Sequence, residues 1–340
     1  MGDVVGIITN LHLSFLTVQQ TKGHSLCSEY PVHFIEVGTS YCEAKILSLK
    51  VVLDFCTMID SALQEHTTKP VIVCPEQPSC SSTKSLVFLI SAFLILHRQY
   101  TSESVTELFA RWRPCCTFSI PEPWHPIHAA KSMHGDLKAL QLAAGLYWLD
   151  CQQDDAPFDI EKSLHYASKA NGNIHTLVPG KLLFFVSPHP LPDNQAWIDV
   201  RDAGRWQERR FSADYLADLL ADLDVSVVAC LGACGSGDAA AFAARDLDVH
   251  DLRLDPRRPS MLRAMDRLLA LARAAPGAVA VFCGGGGGRE WPGHVGTLAA
   301  AYLMSDFGFD AAAADAWVRM LCPRLCARPA PSPESAGQGG

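Results

Sequence analysis

The sequence predicts an α/β fold with parallel strands in its C-terminal half, and three observations predict it. Short apolar runs alternate with amphipathic helical periods after residue 180, and capping residues stand where several of those helices should begin. The composition also changes: residues 1 to about 150 are rich in Ser, Thr, Cys and His, whereas those after about 195 are rich in Ala, Arg, Asp and Gly. Two domains are therefore expected.

In the first domain, residues 1–150, helices are predicted over 44–63 and 86–98, with a short apolar strand, PVIVC, at 70–74 between them. Thr101 or Ser102 should cap a further helix through Leu108. After the turn-rich stretch 121–126, a helix at 135–149 would bury Leu137, Leu140, Leu146 and Leu149. Residues 151–180 read as a polar connector that ends at Val178-Pro179-Gly180.

The second domain, 181–326, begins with a strand at 182–186. A helix at 211–223 follows, with Tyr215, Leu216, Leu219, Leu220 and Leu223 on one side. Strands at 225–231 and 249–254 come next, then a helix capped by Ser260 and running to Ala274. A strand at 277–282 leads to helices around 296–305 and 310–321. The tail from residue 327, ending PAPSPESAGQGG, has the composition of a disordered segment.

Composition excludes several classes. A chain of 340 residues, 49% hydrophobic, can fill two cores of ordinary size. With 36 acidic against 28 basic residues the net charge is −8, and no basic run suits a nucleic acid backbone. The longest apolar stretch, 86–96, includes Ser91 and is too short for a bilayer. The N-terminus lacks the charged start and apolar run of a secretory signal, and Gly6 stands where myristoylation wants Ser or Thr. A soluble intracellular protein without membrane or nucleic acid partners is expected. The 13 cysteines show no CxxC pair; Cys230/Cys234 and Cys322/Cys326 are spaced i, i+4, which suits neither zinc nor a disulfide framework. Most are expected as small buried hydrophobes.

Chemistry concentrates in GAVAVFCGGGGGR, a strand ending at Cys283, then Gly284, Gly285, Gly286, Gly287 and Gly288, then Arg289. A loop of that length can curl round a phosphate with its N–H groups inward, because glycines accept the positive φ such a nest needs. Arg289 can close the ring as a bidentate clamp, and the same donors favour the thiolate of Cys283. C-x5-R alone is equally consistent with a glycine-rich loop beside a buried cysteine. Nucleotide loops are excluded: no Lys-Ser/Thr follows, and Arg289 occupies the last glycine of any GxGxxG begun at Gly284. Upstream, VHDLRLDPRRPS places Asp255 at a strand end, where it could protonate a leaving oxygen or serve as an ordinary turn residue.

Together with FDIEKSLHYASKANGNIHTLVPGKLLFFVSPHP, VSVVACL, GTLAAAYLM and AWVRMLCP, in that order along the chain, these segments resemble the tandem-domain cell-division-cycle dual-specificity protein phosphatases. The likeness covers roughly residues 70–325. It implies two tandem phosphatase-like domains, with the cysteine loop at the end of a central sheet strand of the second. It further implies Cys283 as nucleophile, Arg289 as clamp and Asp255 as general acid. Phosphoserine, phosphothreonine or phosphotyrosine in protein substrates would be hydrolysed without metal or cofactor, in the nucleus or cytoplasm, including centrosome-like structures. A weak or inactive phosphoprotein-binding module is the other reading. The first domain would be a degenerate copy, since CPEQPSC puts Cys80 where a clamp arginine would follow Cys74.

Several residues depart from that family. Phe282 replaces a histidine, Glu290 a Ser or Thr, and Cys322 an arginine, while 291–295 reads as an insertion that displaces the following helix from the loop. In the connector, Lys162, Leu164, Ala167 and Ala170 stand where acidic residues would select a basic peptide, leaving Glu161.

Overall fold

Apolar strands on both sides of the chain's midpoint need cover on two faces, and each set builds its own sheet. The structure, a computed structural model, describes residues 4–15, 17–22, 27, 31–38, 47–111, 133–149, 159–192, 195–232, 234–252, 258–283 and 291–326. It divides into two compact units, Met1–Leu146 and Tyr147–Gly340.

In the first unit, β1 (Val4–Ile8) and β2 (Leu11–Ser14) form an antiparallel pair. After α1 (Val18–Thr21) come β3 (His33–Val37), α2 (Leu49–Glu65) and β4 (Val71–Pro75). The sheet order is β1-β2-β4-β3, with β2 and β3 both parallel to β4. Every residue of β4 is buried, as its unbroken apolar run requires. Leu49, Val52, Phe55, Cys56 and Ile59 make the buried stripe of α2, which Ser48 caps by accepting from Val51 N–H.

Three helices complete this unit: α3 (Cys80–Arg98), α4 (Ser102–Arg111) and α5 (His134–Gly145). The sequence places the start of α3 at 86, where the apolar run begins. It starts at Cys80 because Ser79 and Ser82 form a reciprocal capping box, which turns a polar stretch into helix. Thr101 caps α4 by accepting from Ser104 N–H at 3.1 Å, as expected. Helix α5 buries Leu137 and Leu140 but stops at Gly145. Tyr147, with φ of 59°, turns the chain away, so Leu149 is not on its face.

The second unit opens with α6 (Ile160–Ala167), capped by Asp159, then β5 (Ile174–Val178) and β6 (Leu182–Phe185). The expected polar connector is thus, over its described part, a helix and an edge strand. Pro179 and Gly180 form the turn, with Gly180 at φ of 65°. A two-stranded ribbon follows, β7 (Trp197–Asp202) and β8 (Arg205–Phe211), joined through Ala203 and Gly204, both at positive φ. Sequence reading misses this ribbon because both its faces carry charge, so no apolar alternation marks it.

The alternation beyond is as predicted: α7 (Ala213–Asp222), β9 (Val225–Cys230), α8 (Ser236–Ala243), β10 (Asp248–Asp251), α9 (Arg258–Ala274) and β11 (Ala278–Phe282). Ser212 rather than Phe211 begins α7, accepting from Tyr215 N–H. Ser260 lies inside α9 instead of capping it. The chain then forms α10 (Trp291–Asp306), α11 (Ala311–Leu321) and a 3-10 turn, Pro323–Cys326. The sheet order is β10-β9-β11-β6-β5, all parallel except β5, so β11 is central.

One correction follows. The helix expected to resume at Gly296 begins at Trp291, so residues 291–295 are its first turn and more, and Val295 is buried. Phe282 is a core residue, its ring tilted against those of Phe185 and Phe242 with centroids 5.1 and 5.9 Å away. Its ring fills space between the sheet and α8 that a histidine would occupy only with a hydrogen-bond partner. Among the described residues no helix is long and apolar enough to cross a membrane.

Candidate active site

Strands β6, β9, β10 and β11 run parallel, so their C-terminal ends share one edge of the sheet. In open α/β sheets that edge is where ligands bind, because loops leaving it converge and helices begin there. Cys283 is the first residue beyond β11, at the centre of this edge. Phe282 pairs with Cys230 across the ladder, and Leu231 N–H donates to the Phe282 carbonyl at 2.9 Å. From the other side Ser187, just past β6, donates its hydroxyl to the Cys283 carbonyl.

Of the residues singled out from sequence, the structure therefore places Cys283. Arg289, the five glycines Gly284, Gly285, Gly286, Gly287 and Gly288, and Glu290 lie outside the described residues, as do Asp255 and the tail from residue 327. Residues 284–290 join Cys283 to α10, which starts at Trp291, and 253–257 join the end of β10 to α9. Both segments leave the same sheet edge.

The Cys283 thiol is half-buried, and its pKa is pushed up to about 12, by burial first and by the neighbouring Cys230 second. No described group offsets that. A thiolate there needs hydrogen-bond donors or positive charge to offset the burial.

Sequence reading does not find three other groups near this edge. Ser187 is one; His189 and Asp238 are the others. Nδ1 of His189 is buried without a hydrogen-bond partner among the described residues. Asp238, in the first turn of α8, has its carboxyl held above the usual range by burial, with His189 acting in the opposite sense. The signals were present in Ser187-Pro188-His189-Pro190 directly after a strand, and in an acid following Gly235 at a helix start. A Cβ at Gly235 would lie 2.9 Å from the Asp238 carboxylate, so a larger residue there would have to displace that side chain. Among the described residues no group of three His, Cys, Asp or Glu could hold a metal ion.

In the first unit, Cys74 occupies the matching kind of position near the end of β4, ahead of α3. It is fully buried, its thiol faces the Thr21 hydroxyl at 3.8 Å, and burial raises its pKa to about 11.

No family model matches the chain. Similarity to curated proteins is nevertheless broad. The chain is 25% identical over 291 residues to the tyrosine-protein phosphatase cdc-14 of Caenorhabditis elegans, covering 81% of this chain and 37% of that protein. It is 26% identical over 292 residues to dual specificity protein phosphatase CDC14AB of Danio rerio, covering 83% and 43%. Human dual specificity protein phosphatase CDC14A is 25% identical over 299 residues, covering 83% and 45%. The chain spans about two-fifths of the length of these relatives. Several such matches, each running across four-fifths of the chain, identify it as a divergent CDC14-like relative of the dual-specificity protein phosphatases.

Proposed function

We propose that the second unit is a cysteine-dependent protein phosphatase domain acting on phosphoserine, phosphothreonine or phosphotyrosine. The supporting observation is the place of Cys283 at the end of the central strand, on the edge where β10, which leads to Asp255, also ends. In this reading the Cys283 thiolate attacks phosphorus, the P–O bond to the substrate breaks, and Asp255 gives its proton to the departing oxygen. Gly284 to Gly288 present main-chain N–H groups to the phosphoryl oxygens, and Arg289 clamps two of them. Asp255 then takes a proton from water, which displaces Cys283 and releases inorganic phosphate. Phosphorylated proteins are the partners this chemistry calls for.

The first unit reads as a second phosphatase-like domain without a working site. Its topology supports this. In both units an antiparallel pair (β1-β2, β5-β6) is followed by a parallel strand further out (β3, β9), and the strand that carries or leads into the cysteine (β4, β11) inserts between. Cys80 stands where the arginine would be.

A second reading, phosphoprotein binding without turnover, is favoured by the raised pKa of Cys283 and by Glu290 beside Arg289, a carboxylate that would repel a phosphate dianion. Hydrolysis of a small aryl phosphate by the purified chain, beside Cys283→Ser, separates the two. Turnover lost in Cys283→Ser supports the enzyme. Equal rates for both proteins, with phosphopeptide binding retained, support the binding module.

A further inference from the structure

The phosphatase reading does not use the ribbon of β7 and β8, which among the described residues stands as a sheet of two strands. Two strands alone are marginal in water, so what lies along their outer edges matters. The outer edge of β8 is covered: Arg209 N–H donates to the Lys169 carbonyl at 3.3 Å, and His189 N–H to the Phe211 carbonyl at 2.9 Å. Across the ribbon Arg209 and Phe211 face Asp199 and Trp197. Because their main-chain groups turn outward, these are the non-hydrogen-bonded pairs of the ladder, and the N–H and C=O groups of Trp197 and Asp199 point out of the opposite side. The register skips Gln207 on β8, so β7 stays regular and Arg201 points the same way. Among the described residues no strand covers that edge.

The side chains along it are already ordered. Arg209 donates to Asp199 through Nε at 2.8 Å and Nη2 at 3.2 Å, with its guanidinium 4.9 Å from the Trp197 ring centroid, and Trp206 Nε1 donates to the same carboxylate at 3.2 Å. Trp197 and Trp206 stay 43% and 40% exposed, the residue type most enriched where binding energy concentrates. Charges on an edge strand ordinarily keep other chains away. Here an acid and a base stand two residues apart on the open edge, Asp199 and Arg201, and that spacing repels some registers while favouring another.

We propose that β7 pairs antiparallel with β7 of a second copy of this chain, about a two-fold axis at Val200, so that two ribbons become one four-stranded sheet. In that register Asp199 of each copy faces Arg201 of the other, giving two unlike-charge pairs. The neighbouring registers that keep the same edge inward set Asp199 against Asp199 or Arg201 against Arg201. Asp202 falls opposite Ile198 at the rim, where it stays hydrated. Inside the ribbon Val200 exchanges hydrogen bonds with Glu208, so across the axis the two Val200 residues form a non-hydrogen-bonded pair, with Cα atoms about 4.5 Å apart.

The proposal stands whether or not Cys283 is a nucleophile, and its test uses the whole chain without substrate. One strand edge buries less than the roughly 1,200 Å² of a stable complex, so sedimentation equilibrium should show monomer passing reversibly to dimer with rising concentration. Arg201→Glu, which turns both pairs repulsive, is expected to weaken the dimer about tenfold. Arg205→Glu, the same change of charge on β8, should leave it within about twofold. Val200→Cys reads the register directly, because a spacing of about 4.5 Å lies in the range a disulfide bridges. Mild oxidation should join two copies of tryptic peptide 182–201, which holds no other cysteine. Ile198→Cys, four residues out of step with its own copy, should not cross-link. A chain that stays monomeric, a dimer that Arg201→Glu leaves intact, or a dimer that Val200→Cys does not lock overturns the proposal.

Discussion

The hydroxyl of Ser187 donates to the main-chain carbonyl of Cys283, tying the end of β6 to the residue that begins the glycine loop. Ser187 is a positioning residue in the phosphatase reading, since it acts through the Cys283 peptide. Its replacement by Ala removes a hydrogen bond of about 1 kcal/mol, and if that loss falls on the transition state, kcat/KM for an aryl phosphate drops about fivefold. Ser187→Thr should preserve the rate. A drop in the urea midpoint with kcat/KM unchanged would assign Ser187 to the fold alone.

The chemistry of Cys283 should follow pH. With a pKa near 12 set by burial, alkylation by iodoacetamide in the folded chain is expected to rise about tenfold per pH unit from 7 to 9. A plateau reached below pH 7 would show that the loop and Arg289 reverse the effect of burial. The same shifts bear on stability. Cys56, Cys74, Cys234 and Cys283 all have folded values raised from 9.0, to about 12, 11, 11 and 12. Each holds its proton more tightly when folded. Their contribution is therefore complete below pH 9 and is lost as pH climbs toward 11 and 12, so the urea midpoint should fall over that window.

Because residues 291–295 are helix, deleting them is expected to harm the protein rather than help it. Removing five residues rotates what remains of α10 by about 140° relative to the loop and takes out buried Val295, worth about 1.5–3 kcal/mol by itself. Gly296→Ala gives a finer probe. A Cβ there would meet the Leu325 carbonyl at 2.6 Å, and backbone cannot move aside cheaply. A loss of about 1–3 kcal/mol is expected, read by denaturant unfolding. An unchanged midpoint would mean that α10 and the 3-10 turn separate without cost.

Specificity should differ from that of a phosphatase with an acidic groove. Lys162 in α6 donates to the Asp222 carbonyl at 2.8 Å, and Asp159 is occupied as the helix cap, leaving Glu161 exposed in that turn. Phosphopeptides that differ only by Lys or Ala after the phosphosite are expected to react within about threefold of each other, the scale of an exposed charge pair. A strong preference for the basic peptide would mean that carboxylates elsewhere rebuild the groove.

The sequence by itself determined the local elements and the place of Cys283. Apolar runs such as VIVCP and AVAVF mark strands whatever surrounds them, and Thr101 announces its helix because a cap bonds only to residues two or three further on. Tertiary structure alone decided what those residues meet. Phe282 packs against Phe185 and Phe242, which are 97 and 40 positions away in sequence. Residues 291–295 carry Pro and Gly and read as a turn, yet proline is welcome in the first turn of a helix. The high pKa of Cys283 was likewise invisible. Burial sets it, and burial is fixed by chain segments that sequence spacing cannot bring together.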